Sequence, residues 1–201
     1  HEAFATQVNH DPQAGLIVDQ SPPEPVDEIP PDYKPDGDNI VWIPGYWSYD
    51  DERKDFIWIS GVWRTPPASR RWVPGYWNEL KNDRDFQWVS GFWSSSERRR
   101  MDYEAAPPQS LENGPSVSAP TSSHFWVPGV WVYRAMNYRW RPGHWVRYRP
   151  DYVYIPSRWM WTPGGYVFID GYWDYQMSAR GVMFAPAIMC RLFFLKIVPL
   201  L

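Results

Sequence analysis

Eight copies of one short motif decide what this chain can fold into. In residues 40–93 the copies read WIPGYW, WISGVW, WVPGYW and WVSGFW, led by Trp42, Trp58, Trp72 and Trp88 at spacings of 16, 14 and 16. Each leader is followed at the third position by Gly45, Gly61, Gly75 or Gly91, and at the fifth by Trp47, Trp63, Trp77 or Trp93. In residues 125–175 the leaders are Trp126, Trp140, Tyr154 and Phe168, 14 apart each time. The motif decays there. Gly129, Gly143 and Gly171 stand, Ser157 takes one glycine place, and the partners Trp131, Trp145, Trp159 and Trp173 remain. Strict spacing of this kind marks a repeat architecture, in which one copy cannot bury its apolar face alone and neighbours supply the core.

The copies read as β-structure. Between them lie polar or turn-rich segments such as DDERKD, TPPASR, KNDRD, RAMNY and RYRPD, while the Trp-bearing segments are short and rich in aromatic and β-branched residues. That alternation predicts antiparallel strands joined by hairpins. Fifteen Trp, 13 Tyr and 9 Phe do the work that Leu, Ile and Ala do in helical chains, and 22 Pro with 13 Gly punctuate helices. The expected fold is all-β: tandem Trp-rich hairpin repeats forming an antiparallel meander in two blocks. The central glycine admits two geometries. Trp42 and Trp47 are five apart and would face opposite ways on a regular strand, so a β-bulge at the Pro-Gly step would restore them to one face. Alternatively Pro-Gly is a tight turn that makes the two Trp cross-strand neighbours. The bulge is preferred, because the polar segments already supply the reversals.

The flanks are different in kind. Residues 1–39 are Pro-rich and acidic, with too little apolar surface to offset the entropy of ordering, and are expected to be a disordered lead-in. Residues 94–124 are rich in Ser and Pro and read as a linker between the first block, 40–93, and the second, 125–175. Residues 176–201 form an apolar tail broken by Pro186, Arg191, Lys196 and Pro199, which argues for a buried or unfinished end and against a membrane span. The first residue is His1, so a processed or truncated N-terminus is expected.

Charge and chemistry-bearing residues narrow the function. The formal net charge of −3 argues against a dedicated nucleic-acid binder. Yet residues 1–60 carry thirteen acids against Lys34, Arg53 and Lys54, whereas Arg134, Arg139, Arg141, Arg147, Arg149 and Arg158 face only Asp151 across residues 125–160. An acidic partner suits that second stretch. One cysteine, Cys190, excludes an intramolecular disulfide framework. The histidines His1, His10, His124 and His144 have no metal-ligand spacing, and His144 reads as a surface strand residue. The acids at Asp50, Asp51, Glu52, Asp55, Asp83 and Asp85 fall in hairpin turns, which are wet. No nucleophile elbow, phosphate loop or dinucleotide fingerprint occurs. We expect no enzyme, no cofactor and no metal.

The copies WIPGYW, WISGVW, WVPGYW and WVSGFW, with the connecting DDERKDFIWISGVWRTPPASRRWVPGYW, resemble the bacterial repeat family described as YXWGXW or WXXGXW repeat proteins. The likeness is close over residues 40–93 and decays over 125–173. The lead-in PVDEIPPDYKPDGDNIVWIPGYW is similar to the segment that follows the signal peptide in members with many copies. The resemblance implies an exported, periplasmic or cell-envelope protein with no assigned enzymatic activity.

Two functions then compete. In the first, the repeat aromatics are a buried ladder and the protein is a structural or interaction component of the cell envelope. In the second, exposed rings and arginines grip envelope polysaccharide, and the binding candidates are Tyr46, Tyr76, Tyr138, Arg139, Arg141, Arg147 and Tyr148, which lie in or beside the variable slots of the motif. Envelope polysaccharide or another envelope protein is the expected partner.

Overall fold

The polar segments DDERKD and RAMNY become hairpin tips, whereas TPPASR and RYRPD connect one paired module to the next. Between β3 (Tyr46–Asp50) and β4 (Asp55–Ile59), Asp50 Oδ1 accepts from the amides of Glu52 and Arg53 at 3.0 and 3.2 Å, and Lys54 sits in the left-handed region at φ 53°. An aspartate that bonds its own turn in this way favours reversal over strand continuation. Between β11 (Val130–Arg134) and β12 (Asn137–Arg141) the turn is two residues long, with Ala135 and Met136 both at positive φ, the dihedral signs of a type I′ hairpin.

The structure is a computed structural model that describes residues 16–37, 39–81 and 84–183. Its described residues are all-β apart from a single 3-10 turn at Met177–Ala179, as the composition and alternation predict. Of the flanking segments, residues 1–15 and 184–201, which hold the first part of the lead-in expected to be disordered and most of the apolar tail, lie outside the described part.

Two copies of the motif make one four-strand module. In the first, β2 (Val41–Ile43) pairs with β5 (Val62–Arg64), and β3 pairs with β4. The others follow suit. β6 (Arg70–Val73) pairs with β9 (Phe92–Ser95) and β7 (Tyr76–Glu79) with β8 (Phe86–Val89). β10 (His124–Val127) pairs with β13 (His144–Arg147), and β11 with β12. β14 (Tyr152–Ile155) pairs with β17 (Tyr172–Tyr175), and β15 (Arg158–Thr162) with β16 (Gly165–Ile169).

Each module is thus one long antiparallel hairpin, interrupted at the same level on both strands. Register settles the geometry of the glycine step. Trp42 stands opposite Trp63, and Trp47 opposite Trp58, with the count of residues unchanged across the interruption. A single bulge would add a residue to one strand and shift the pairing, and a tight turn would pair Trp42 with Trp47. Neither occurs. Pro44-Gly45 on one strand faces Ser60-Gly61 on the other, and the ladder breaks there symmetrically. The cross-strand indoles meet edge to face, 5.3 Å apart between centroids for both Trp42–Trp63 and Trp47–Trp58, the arrangement that the ring quadrupole favours.

The described chain divides into two units, one of residues 16–66, 72–92 and 177–183 and the other of residues 67–71 and 93–176. In the first unit the core gathers Val18, Trp47, Phe56 and Trp58, with Val26, Tyr49, Trp77 and Phe86 packed against it. Burying a ring such as Trp58 stabilises by about 5 kcal/mol as an upper bound, from roughly 200 Å² at 25 cal/mol per Å². One further strand, β18 (Gly181–Met183), joins the free edge of β5, so the order there is β18-β5-β2. In the second unit the buried residues include Val127, Met160, Val167, Ile169 and Tyr172.

Candidate functional site

The motif glycines and the leading aromatics form one reciprocal contact. A Cβ on Gly45 would lie 2.6 Å from Cζ2 of Trp58, and one on Gly61 would lie 2.7 Å from Cε2 of Trp42. Each leading indole therefore rests on the glycine of the other copy in its module, at a distance that no side chain tolerates. The same exchange joins Trp88 to Gly75, Trp72 to Gly91, Trp140 to Gly129 and Trp126 to Gly143. In the fourth module Gly171 lies under Tyr154 in the same way. The other glycine place there is Ser157, and the aromatic due to cover it is the smaller Phe168.

A carboxylate closes two of these centres. Glu28 Oε2 accepts from the amides of both Gly45 and Gly61, at 3.1 and 2.8 Å. Glu112 accepts from the Gly129 amide through Oε2 and from Trp126 Nε1 through Oε1 at 2.8 Å, and its Oε1 also takes the Gly114 amide at 2.9 Å. Burial pushes the Glu112 carboxyl up, but the bonds from Gly129, Trp126 and Gly114 outweigh it and hold the group below the usual carboxylate range.

The segments that bring these glutamates are built alike. In the first unit, β1 (Ile17–Val18) pairs with β8, Val18 opposite Phe86; further on, Glu24 O accepts from Trp47 Nε1 at 2.9 Å, and then comes Glu28. In the second unit, Glu104 bridges to Tyr166, Gln109 O accepts from Trp131 Nε1 at 2.9 Å, and then comes Glu112. Phe86 and Tyr166 each stand two residues before a leading aromatic. The described lead-in and the Ser/Pro-rich linker are therefore the same element, a strap laid over the modules that follow it. Composition reads them as connections because they lack a core of their own, and they borrow one, as Val18 and Val26 show.

Between modules, the first-copy partner indole repeats one staple. Trp77 Nε1 donates to Trp47 O, and Trp159 Nε1 to Trp131 O, both at 2.8 Å. The ring contacts match as well: Phe56 meets Trp77 edge-on at 5.2 Å, and Tyr138 meets Trp159 at 5.4 Å.

The seven binding candidates from the sequence fall in different settings. Tyr46 and Tyr76 are 44% and 49% exposed, and Tyr46 also stacks on Trp88 at 5.1 Å. Both belong to the first unit. Tyr138 occupies the place of Phe56; its hydroxyl donates to Ala105 O at 2.6 Å, and burial pushes the phenol up to about 12. Arg141 donates to Ser157 Oγ at 2.8 Å and lies 6.0 Å over the Phe168 ring. Tyr148 is 44% exposed, with its amide bonded to Ser123 O. Arg139 and Arg147 are exposed. The structure places Arg139 and Arg141 on β12, and His144 and Arg147 on β13, the next strand after the break.

Sequence reasoning missed Glu28 and Glu112. A signal was available: each stands seventeen residues before the first glycine of its block, Gly45 and Gly129. Among the described residues no three or more His, Cys, Asp or Glu are grouped to hold a metal ion, and no helix is long and apolar enough to cross a membrane.

Comparison with known proteins agrees with the module. A family model describing two copies of the WXXGXW repeat matches residues 37–64, 53–78, 122–146 and 149–174. Three of these spans coincide with folded modules, and 53–78 straddles two. No curated protein and no solved structure matches the chain.

Proposed function

The chain is a WXXGXW repeat protein, and on that premise we propose that it serves as a non-enzymatic structural or interaction protein of the bacterial cell envelope. The observation that carries this reading is the reciprocal seating of leading aromatics on motif glycines. Those rings are spent on holding paired copies together, so the repeat itself is a scaffold, and docking falls to its edges and variable slots. Placement in the envelope rests on the resemblance to an exported repeat family.

The exposed rings of Tyr46 and Tyr76 favour a second reading, a module that stacks these tyrosines on envelope polysaccharide. Co-sedimentation with isolated cell-wall polysaccharide and with peptidoglycan, with Trp fluorescence and acrylamide quenching read in the same tubes, separates the two. The scaffold predicts blue-shifted emission, little quenching and no saturable pelleting. Saturable pelleting lost in a Tyr46→Ala, Tyr76→Ala double variant would replace it with the polysaccharide reading. Fractionation of cells producing the untagged protein tests the location, and recovery in the cytoplasm alone would remove the envelope assignment.

A further inference from the structure

The two equivalent edges of the first and third modules are finished differently. In the first, β5 accepts β18 along its outer side, with Gly181 opposite Arg64, Val182 opposite Trp63 and Met183 opposite Val62. The strand in the same position of the third module is β13, which among the described residues pairs with β10 alone. Counted from their leading tryptophans, Ile57, Ile59, Val62 and Thr65 of the first module correspond to Arg139, Arg141, His144 and Arg147 of the third. Three aliphatic residues thus become Arg139, Arg141 and His144, Thr65 becomes Arg147, and Arg64 of β5 becomes Val146 of β13. Arg141 is tied to Ser157 and Phe168; His144, Arg147 and Arg139 are exposed.

From this pair of edges we propose that β13 is a docking site for an extended acidic segment of a partner protein, added antiparallel in the register that β18 takes on β5. The inference deepens the interaction reading above and rests on it. Backbone groups on the outer side of β13 supply the ladder, as in other strand additions. Residues directly across a strand pair sit about 5 Å apart, where opposite charges attract and like charges repel. The register then sets the preference: an acidic residue opposite His144, an aliphatic one opposite Trp145 as Val182 is opposite Trp63, and an acidic residue opposite Arg147. Basic side chains also keep bare edges from pairing with each other, so this edge refuses a second β13 and selects its complement. A sheet-edge precedent within the same molecule favours a peptide over an acidic polysaccharide, which offers no amide ladder.

The test uses the full chain and two capped hexapeptides in which glutamate, or lysine, alternates with threonine around a central valine. Titration is followed by calorimetry and by amide hydrogen exchange. The expected result is saturable binding of the glutamate peptide at least tenfold tighter than the lysine peptide, with slowed exchange confined to residues 144–147. A His144→Glu, Arg147→Glu variant with an unchanged Trp spectrum should reverse the preference. Binding indifferent to that reversal, or no slowing at 144–147, overturns the proposal. So does saturation by a soluble acidic polysaccharide without amide protection, or concentration-dependent self-association that the peptide does not compete. Apart from the polysaccharide outcome, which also favours the second reading above, these outcomes leave the co-sedimentation result untouched, so the scaffold reading stands or falls separately.

Discussion

The module of Val41–Arg64 and the module of Tyr152–Tyr175 share strand order and register, yet solve their centres differently. In the first, both glycines lie under indoles, and the amides of Gly45 and Gly61 meet a carboxylate from outside the module, Glu28. In the last, Ser157 replaces one glycine, Phe168 replaces the indole that would cover it, and Ser157 Oγ accepts from the Gly171 amide at 2.8 Å. That hydroxyl takes on Gly171 the bond that Glu28 takes on Gly61. Glycine under a covering indole is therefore one choice, joined in the first and third modules by an external carboxylate, and serine with phenylalanine is another. The second block has decayed in its motif without losing the logic of its centre.

The comparison breaks first at the glycines. Gly61→Val places a branched side chain where Cε2 of Trp42 stands 2.7 Å from a Cβ, and should cost about 3 kcal/mol or more, the upper range for overpacking. Thermal denaturation with calorimetric detection reads this; an unchanged midpoint would mean that the indole is not seated on the glycine. Linkage is tested by a cycle of Gly45→Ser and Trp58→Phe, which writes the fourth module's choice into the first. The two changes should couple favourably by about 1–2 kcal/mol, as contacting residues do, and simple additivity would sever the two choices.

The straps come next in size. Glu112→Gln should cost about 1 kcal/mol at neutral pH, the scale of a partly exposed hydrogen bond to a charge. Because the folded carboxyl is held below its ordinary value of 4.5, its contribution is complete above that value and fades as pH falls through the lower folded one. The gap between wild-type and variant melting temperatures should therefore close in acid. A gap that persists at pH 2 would assign the strap's effect to packing. The smallest change is Tyr138→Phe, which converts the second block's ring to the Phe56 of the first and removes one bond to Ala105 O, worth about 0.5–1 kcal/mol. With the phenol pushed up to about 12, its share of stability holds below the ordinary value near 10 and is lost as pH rises through 12. Ultraviolet titration of the wild type should show a late tyrosine phase that the variant lacks.

Much of this was legible in the residues. Period, alternation and turn chemistry lead to antiparallel hairpins in two blocks, and Asp50 and Lys54 sit where a reversal needs them. The central step was harder. Spacing places Trp42 and Trp47 five apart but is silent on which copy Trp42 pairs with, and the constant register across Pro44-Gly45 emerges only when both strands break together. The straps escaped because composition measures whether a segment can make a core, and not whether it can join one. Of the binding candidates, the arginines at 139, 141 and 147 were visible by interleaving alone. Their placement beside His144 follows from the pairings of β12 with β11 and of β13 with β10, which spacing alone does not assign.

The edge strand on β5 has a consequence for synthesis. Arg64 donates to Arg180 O across 116 residues of chain, whereas Glu28 reaches Gly45 across seventeen. As the polypeptide emerges from its N-terminus, strap and first module can close almost at once, but β5 keeps a bare side until Gly181 arrives. For that whole interval the nascent first block presents an unpaired backbone ladder to any passing strand, and the last described segment of the chain is what retires it.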